Sequence, residues 1–234
     1  NRNIVLGIAA RQDLYALAVS CTPADRTQLN QIVKDAQEAA RARSGANLGT
    51  AFHRLTERVD LGDDLDIPPA WSSDIEAYVN ALIDAQIRVH PEWVEQIVVN
   101  VDLNIAGTVD RLVTIHQQPD LYVADLKTGE GAVTYGANET ALQLAIYANA
   151  THRWTGTDYQ PMPTINLQTG LLIHLPVGKG ECTIHKLDIA AGWEAVQLAL
   201  QVRKWRKRDS LTEPLTTQKG ARSDSQTVVL DDDW

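Results

Sequence analysis

Asp125 and Lys127 have no ordinary place in a folded core. They sit in YVADLKTGEG, residues 122–131, where Val123, Ala124 and Leu126 read as a buried strand. Side chains at i and i+2 share a face of a strand, so the acid and the base point the same way. A second acid, Asp110, closes the segment GTVD. A hairpin turning around HQQPD can fold it back beside Asp125. Two carboxylates a few ångströms apart repel strongly where the dielectric is low, and a divalent cation removes that repulsion. Carboxylates, a carbonyl and water suit Mg2+, and an added imidazole shifts the preference towards Mn2+. GTAFH supplies such an imidazole, His53, and QLAIY places Gln143 and Tyr147 four apart on one helix face. The Lys127 ammonium, beside a cation, can orient or deprotonate a water or stabilise charge on a phosphate. Phosphodiester hydrolysis is the chemistry these parts describe.

The elements that must position these groups follow from pattern and punctuation. TPADRTQLNQIVKDAQEAARARSG reads as a helix with Thr22 as N-cap, Pro23 at the first helical position and Gly45 as its end. A second helix covers roughly 48–59. A third begins near Ser73, with Glu76 completing a capping box, and runs through DIEAYVNALIDAQIRV to stop before Pro91. VEQIVVNVDL, IAGTVDRLVTIH and DLYVADLK read as three strands of an antiparallel meander. ETALQLAIYANATHRW is helical in period, with Asn138 as cap. GLLIHLP and ECTIHKLD make two more strands around VGKG, and Asp188 then caps a long helix, IAAGWEAVQLALQVRKWRKR. This order predicts a mixed α/β fold: a central, mostly antiparallel or mixed sheet of about five strands flanked by helices, behind a helical N-terminal layer. The expected divisions are a helical segment 1–45, a core 46–208 and a polar tail 209–234. The chain opens on Asn1 and not on Met, which reads as a missing or processed start.

At 234 residues, 44% hydrophobic and 22% charged, the chain suits one sizeable domain. It contains no apolar run long enough to span a membrane and no signal-peptide plan at its start. Its two cysteines, Cys21 and Cys182, match no metal spacing, so free thiols in a cytosolic setting are expected. The net charge of −9 argues against nucleic-acid binding by bulk charge but leaves room for a local basic strip. RKWRKR is such a strip: Arg203, Lys204, Trp205 and Arg206 could track phosphates and stack a base, or form a solvated helix end favoured by the macrodipole. Arg111 follows Asp110 directly and so faces the other side of the sheet, where a structural salt bridge is expected. Glu57, one turn beyond His53, is read as orienting a ligand or pairing with Arg54 or Arg58.

Taken in order, these motifs resemble the PD-(D/E)xK nuclease superfamily, and within it the RecB-like branch of CRISPR-associated and phage-encoded exonucleases. Gly49 and His53 match a helical Gly-x-x-x-His motif, and Gly107 and Asp110 a Gly-x-x-Asp strand. Asp125, Lys127, Thr128 and Gly129 match Asp-x-Lys-Thr-Gly, and Gln143 and Tyr147 the following Gln-x-x-x-Tyr helix. Two features depart from the pattern: Val109 stands where Pro is common, and the cluster-holding cysteines of several relatives are missing. The resemblance implies a restriction-endonuclease-like core. It implies Mg2+ or Mn2+, without an iron–sulfur cluster, held by His53, Asp110, Asp125 and the Leu126 carbonyl. Lys127 would then position or activate the water, and Gln143 and Tyr147 would orient the scissile backbone and Lys127. Thr128 would contact the DNA. The implied activity is that of a DNA exonuclease on linear DNA with ends, in recombination, repair or replication. The implied setting is phage-encoded and cytoplasmic, with a recombination protein or further copies of the chain as partners. Two alternatives stay open: a catalytically silent DNA-binding or interaction module, and a structure-specific endonuclease of the same superfamily.

Overall fold

The structure, a computed structural model, describes residues 2–40, 44–209 and 211–213. Helices α1 (Arg2–Ala10), α2 (Gln12–Ser20) and α3 (Arg26–Ala39) come first. Helix α1 meets α3 so closely that a Cβ on Gly7 would lie 1.8 Å from the Ala36 carbonyl oxygen, so only glycine fits there. Leu14, Ile32 and Ala36 are the buried centre of this layer. Thr22 does not cap α3. Its backbone N–H and hydroxyl both donate to Asp25 Oδ2 at 2.8 Å, and this local loop leaves Asp25 at the cap position. Gly45 does not end that helix but falls within α4 (Ser44–Asp60), and residues 41–43 lie outside the described residues.

Helix α5 (Pro69–Asp84) starts at Pro69, ahead of the expected Ser73, because proline's fixed φ suits a first helical position. It also stops earlier than read. Gln86 takes φ 54, and the next residues form an edge strand, β1 (Ile87–Val89). The first sheet combines β1 with β4 (Arg111–Ile115), β5 (Leu121–Lys127), β8 (Thr169–His174) and β9 (Thr183–Asp188). Their order is β1-β4-β5-β8-β9, and only the β5–β8 pair is parallel. This is the expected five-stranded mixed sheet. A second sheet was not foreseen. It holds β3 (Ile105–Val109), β2 (Gln96–Asn100), β6 (His152–Trp154) and β7 (Tyr159–Pro161) in that order, all antiparallel. The segment IAGTVDRLVTIH is therefore two strands and not one. It breaks at Asp110, where the chain leaves the second sheet and enters the first.

Helix α6 (Ala132–Ala148) begins at Ala132, before Asn138, and ends soon enough for His152–Trp154 to extend the second sheet as β6. In α7 (Ile189–Arg206) the expected cap is present: the Ala191 N–H donates to Asp188 Oδ1 at 2.9 Å. Contacts divide the chain into one unit, Asn1–Leu198, and another, Ala199–Trp234. Of the tail expected from 209, residue 210 and residues 214–234 lie outside the described residues. Among the described residues no helix is long and apolar enough to cross a membrane.

The first sheet buries apolar side chains on both faces. On one side Phe52, Ile75, Tyr78 and Leu82 pack on Val113, Ala124, Leu126 and Ile173. On the other, Leu144, Ala145 and Ile189 pack on Leu112 and Val123, with Val109 of the second sheet in the same cluster. Within this fold lies one fully buried guanidinium. Arg111 donates from Nε to Asp60 Oδ2 at 2.9 Å, lies 5.7 Å from the Tyr78 ring centre, and Tyr78 donates its hydroxyl to Asp60 Oδ1 at 2.7 Å. The expected structural role for Arg111 is thus borne out. Truncating one partner of such a pair strands the other charge away from water. Arg111→Ala is expected to lower unfolding free energy by about 3–5 kcal/mol in urea titrations, and Arg111→Ala with Asp60→Ala by less than the sum of the single changes.

Candidate active site

The central strand explains how an acid and a base sit side by side. Tyr122, Ala124 and Leu126 point into one core and Val123 into the other, so Asp125 and Lys127 share the Val123 face of β5. Two hairpin registers then fix the neighbours of Asp110. Arg111 pairs with Ala124, which brings Asp110 alongside Asp125 and Leu126. Gln96 pairs with Val109, which brings it alongside Glu95. The joint is pinned from both sides: the Leu126 N–H donates to Asp110 Oδ2 at 2.9 Å, and the Glu95 N–H donates to the Asp110 carbonyl at 2.9 Å. Lys127 Nζ lies 2.5 Å from Asp125 Oδ2.

Helix α4 brings the imidazole. Phe52 is buried in the core, which turns its neighbour His53 towards the cavity, 3.6 Å from Asp110 Oδ2 through Nδ1. The helix lies directly against the turn that follows β5, since a Cβ on Gly49 would stand 2.8 Å from Thr128 Oγ1. That turn is held by a further contact, between His174 Nε2 and the Gly129 carbonyl at 3.0 Å. The result is an open cavity of ≈ 720 Å³ lined by Gly49, Thr50, His53, Arg54, Glu57, Glu95, Asp110, Thr128 and Gly129.

The site carries more negative charge than its surroundings solvate well. Burial, then the Asp110 charge, pushes the Asp125 carboxyl up to about 6, against the opposing pull of Lys127 and Arg111. Burial, followed by the charges of Glu57 and Asp110, lifts Glu95 to about 7. Burial also holds the His53 imidazole below its ordinary range; Arg111 and Lys127 add to this and Asp110 opposes it. A lowered imidazole is the neutral form that can offer a lone pair. Asp125 is only 2% exposed, and its buried Oδ2 makes no regular hydrogen bond beyond its contact with Lys127. Among the described residues no three His, Cys, Asp or Glu side chains form a ready-made ion cage. A small hard cation does not need one, because it keeps several waters and takes one or two carboxylates. Two carboxylates on neighbouring strands, one with a buried oxygen met only by Lys127, fit that kind of ion.

Of the residues singled out by spacing, His53, Asp110, Asp125 and Lys127 come together, with the Leu126 backbone and Thr128 beside them. Gln143 and Tyr147 form a pair of their own: Gln143 Nε2 donates to the Tyr147 hydroxyl at 3.1 Å. Among the described residues neither makes a hydrogen bond or ion pair with Lys127. Tyr147 instead explains Gly107, where an added Cβ would lie 2.6 Å from the tyrosine Cε1. Arg58 pairs with Asp63 at 2.8 Å and not with Glu57, which faces the cavity. Arg203, Lys204, Trp205 and Arg206 are exposed on the last turns of α7, in the unit Ala199–Trp234. The spacing of motifs overlooked Glu95 and Arg54. Glu95 was legible only through register, because a β2–β3 hairpin turning at VDLN sets it across from Asp110. Its backbone sits at φ 52, an uncommon conformation for a side-chain-bearing residue.

A mixed five-stranded sheet flanked by helices, with an acid and an acid–lysine pair on neighbouring strands, is the restriction-endonuclease-like form of a nuclease. A family model of the PD-(D/E)XK nuclease superfamily matches residues 27–168, which is more than half of the chain and spans every motif from Gly49 to Tyr147; the chain belongs to this superfamily. No curated protein matches the chain.

The contact between Gly107 and Tyr147 is testable by stability alone. Gly107→Ala is expected to cost about 1–3 kcal/mol by overpacking against the ring. In the Gly107→Ala/Tyr147→Ala double variant, thermal unfolding should show a smaller loss than the two single losses added together.

Proposed function

We propose that the protein is a metal-dependent deoxyribonuclease that removes nucleotides from the ends of linear DNA. The observation that carries this reading is His53 beside Asp110 on the cavity wall, with the Asp125–Lys127 pair on the strand next to Asp110. In this reading His53, Asp110, Asp125 and the Leu126 carbonyl hold Mg2+ or Mn2+. When bound, the cation supplies Lewis acidity, which makes water a better nucleophile and offsets charge building on the phosphate. Lys127, held against Asp125, places its ammonium where it can hold the attacking water in line with the phosphorus. Asp125 keeps that ammonium in position and is itself relieved of like-charge repulsion from Asp110. Tyr147 and Gln143 steady the strand's backbone near the scissile bond, and Thr128 meets a phosphate from the turn after β5. Arg203, Lys204, Arg206 and Trp205, on the last turns of α7, contact phosphates and stack a base. The preference for ends rests on the likeness of GTAFH and QLAIY to the RecB-like branch. That likeness also carries the setting: recombination, repair or replication, phage-encoded, in a host cytoplasm, with a recombination protein or copies of the chain as partners.

Digestion of labelled linear DNA tests the reading. Degradation is expected with Mg2+ or Mn2+ and none with EDTA, while closed circular DNA should survive. Rapid cutting of closed circles would point to an endonuclease. Lys127→Ala and Asp125→Ala should each slow cleavage by about 10²–10⁴-fold, and wild-type rates in both would overturn the mechanism. Cation binding has its own readout: calorimetric titration with Mn2+ should weaken by about tenfold or more in Asp110→Asn. No turnover with either metal would leave a DNA-binding module as the better description.

A further inference from the structure

The site described above is acidic, and its substrate is a polyanion. Glu57, Glu95 and Asp110 all face the cavity, so a strand of nucleic acid enters against three carboxylates unless something draws it in. Among the described residues the lining contains one Lys or Arg side chain, Arg54. Its neighbours among the basic residues are committed elsewhere. Arg58 is paired with Asp63 at 2.8 Å, Arg111 with Asp60 at 2.9 Å, Lys127 with Asp125 at 2.5 Å, and Lys179 with Glu130 at 2.9 Å. Arg54 is exposed, and among the described residues its guanidinium has no hydrogen-bond or ion-pair partner.

Its position has a reason in the helix. Gly49, Thr50, His53, Arg54 and Glu57 recur at three- and four-residue spacing, so α4 turns one face to the cavity and Arg54 follows His53 on it. The turn at Thr128 and Gly129 also lines the cavity, and nothing lies within 4 Å of where a Gly129 Cβ would stand. Glycine at position 49 lets that turn approach α4 closely. A strand lying in this cavity would meet Thr128 and also, further along α4, a planar, forked cation. Guanidinium groups bind phosphate in a bidentate manner and keep their charge at any physiological pH.

We propose that Arg54 is a substrate-positioning residue that grips the backbone phosphate neighbouring the scissile one, from the α4 wall of the cavity. The nucleic-acid substrate in this inference rests on the nuclease reading; Arg54 takes no part in holding the cation or the water.

Wild type, Arg54→Ala and Arg54→Lys are compared by fluorescence anisotropy on a fluorescein-labelled DNA oligonucleotide in EDTA, across a salt series, and by cleavage in Mg2+. Arg54→Ala should weaken binding and raise KM by about tenfold, lower the salt slope of log K by about 1, and leave kcat within about threefold. Arg54→Lys should retain the salt slope and recover only part of the affinity. A neutral methylphosphonate is then moved along the oligonucleotide one linkage at a time. At one linkage next to the scissile bond it should weaken wild-type binding and leave Arg54→Ala unaffected. Thermal unfolding should be the same in all three, since the side chain is exposed and unbonded. Unchanged affinity and salt slope in Arg54→Ala, or methylphosphonate effects that add at every linkage, would overturn the proposal. Binding in EDTA needs no turnover, so the two readings separate. A chain that binds through Arg54 but never cuts sinks the nuclease reading alone, and a chain that cuts without needing Arg54 sinks this one alone. Failure to bind or cut DNA at all would overturn both.

Discussion

Like-charge repulsion between Asp110 and Asp125 is the constraint around which the molecule is organised. Two carboxylates on adjacent strands, one of them nearly sealed from water, are unfavourable in isolation. The fold answers with fixed positive partners. Lys127 touches Asp125, the Leu126 N–H donates to Asp110, and the buried Arg111 guanidinium contributes a field felt by Asp125, Glu95 and His53 alike. Arg111 can serve in this way because Asp60, Tyr78 and Thr56 hold it on the other side of the strand. What these partners leave uncompensated shows as the raised Asp125 and Glu95 carboxyls.

Asp110 occupies the point where two sheets meet, and this gives it two sets of neighbours. Through β4 it lies next to the acid–lysine pair of the central strand; through β3 it lies next to Glu95. A carboxylate in the middle of one continuous strand would reach only one of these. The break also frees the Asp110 carboxylate to accept a backbone N–H, which fixes its direction beside His53. Helix α6 supports the joint from below: Tyr147 fills the space that Gly107 leaves open on β3, and Gln143 holds the tyrosine hydroxyl. Two glycines of the motifs, Gly49 and Gly107, therefore have packing reasons. Each admits a side chain from a neighbouring element, Thr128 in one case and Tyr147 in the other.

Burial raises the Asp125 and Glu95 carboxyls and lowers the His53 imidazole, and these shifts follow from the same low-dielectric surroundings. Such surroundings favour the uncharged forms of the groups they hold. The exposed wall of α4 is different. There Arg54 lines the cavity and stands in water.

Much of this was legible in the residues. The period-two pattern of DLYVADLK placed Asp125 and Lys127 on one face, the hairpin turn at HQQPD placed Asp110 beside them, and GTAFH on a helix offered His53. These features are local, or need only one hairpin closure, and local patterns survive folding. The misreadings have a common cause. Apolar run-on hid the ends of α5 and α6, so the short strands β1 and β6 were absorbed into helices; both exist only because a partner strand accepts their hydrogen bonds. The division of IAGTVDRLVTIH between two sheets is likewise invisible along the chain, since Val109 and Arg111 differ in partner and not in propensity. Glu95 and Arg54 carry no motif. Sequence determined which groups could do the chemistry. Tertiary structure alone decided which further charges face them, because that depends on strand register and on how closely α4 packs against the turn after β5.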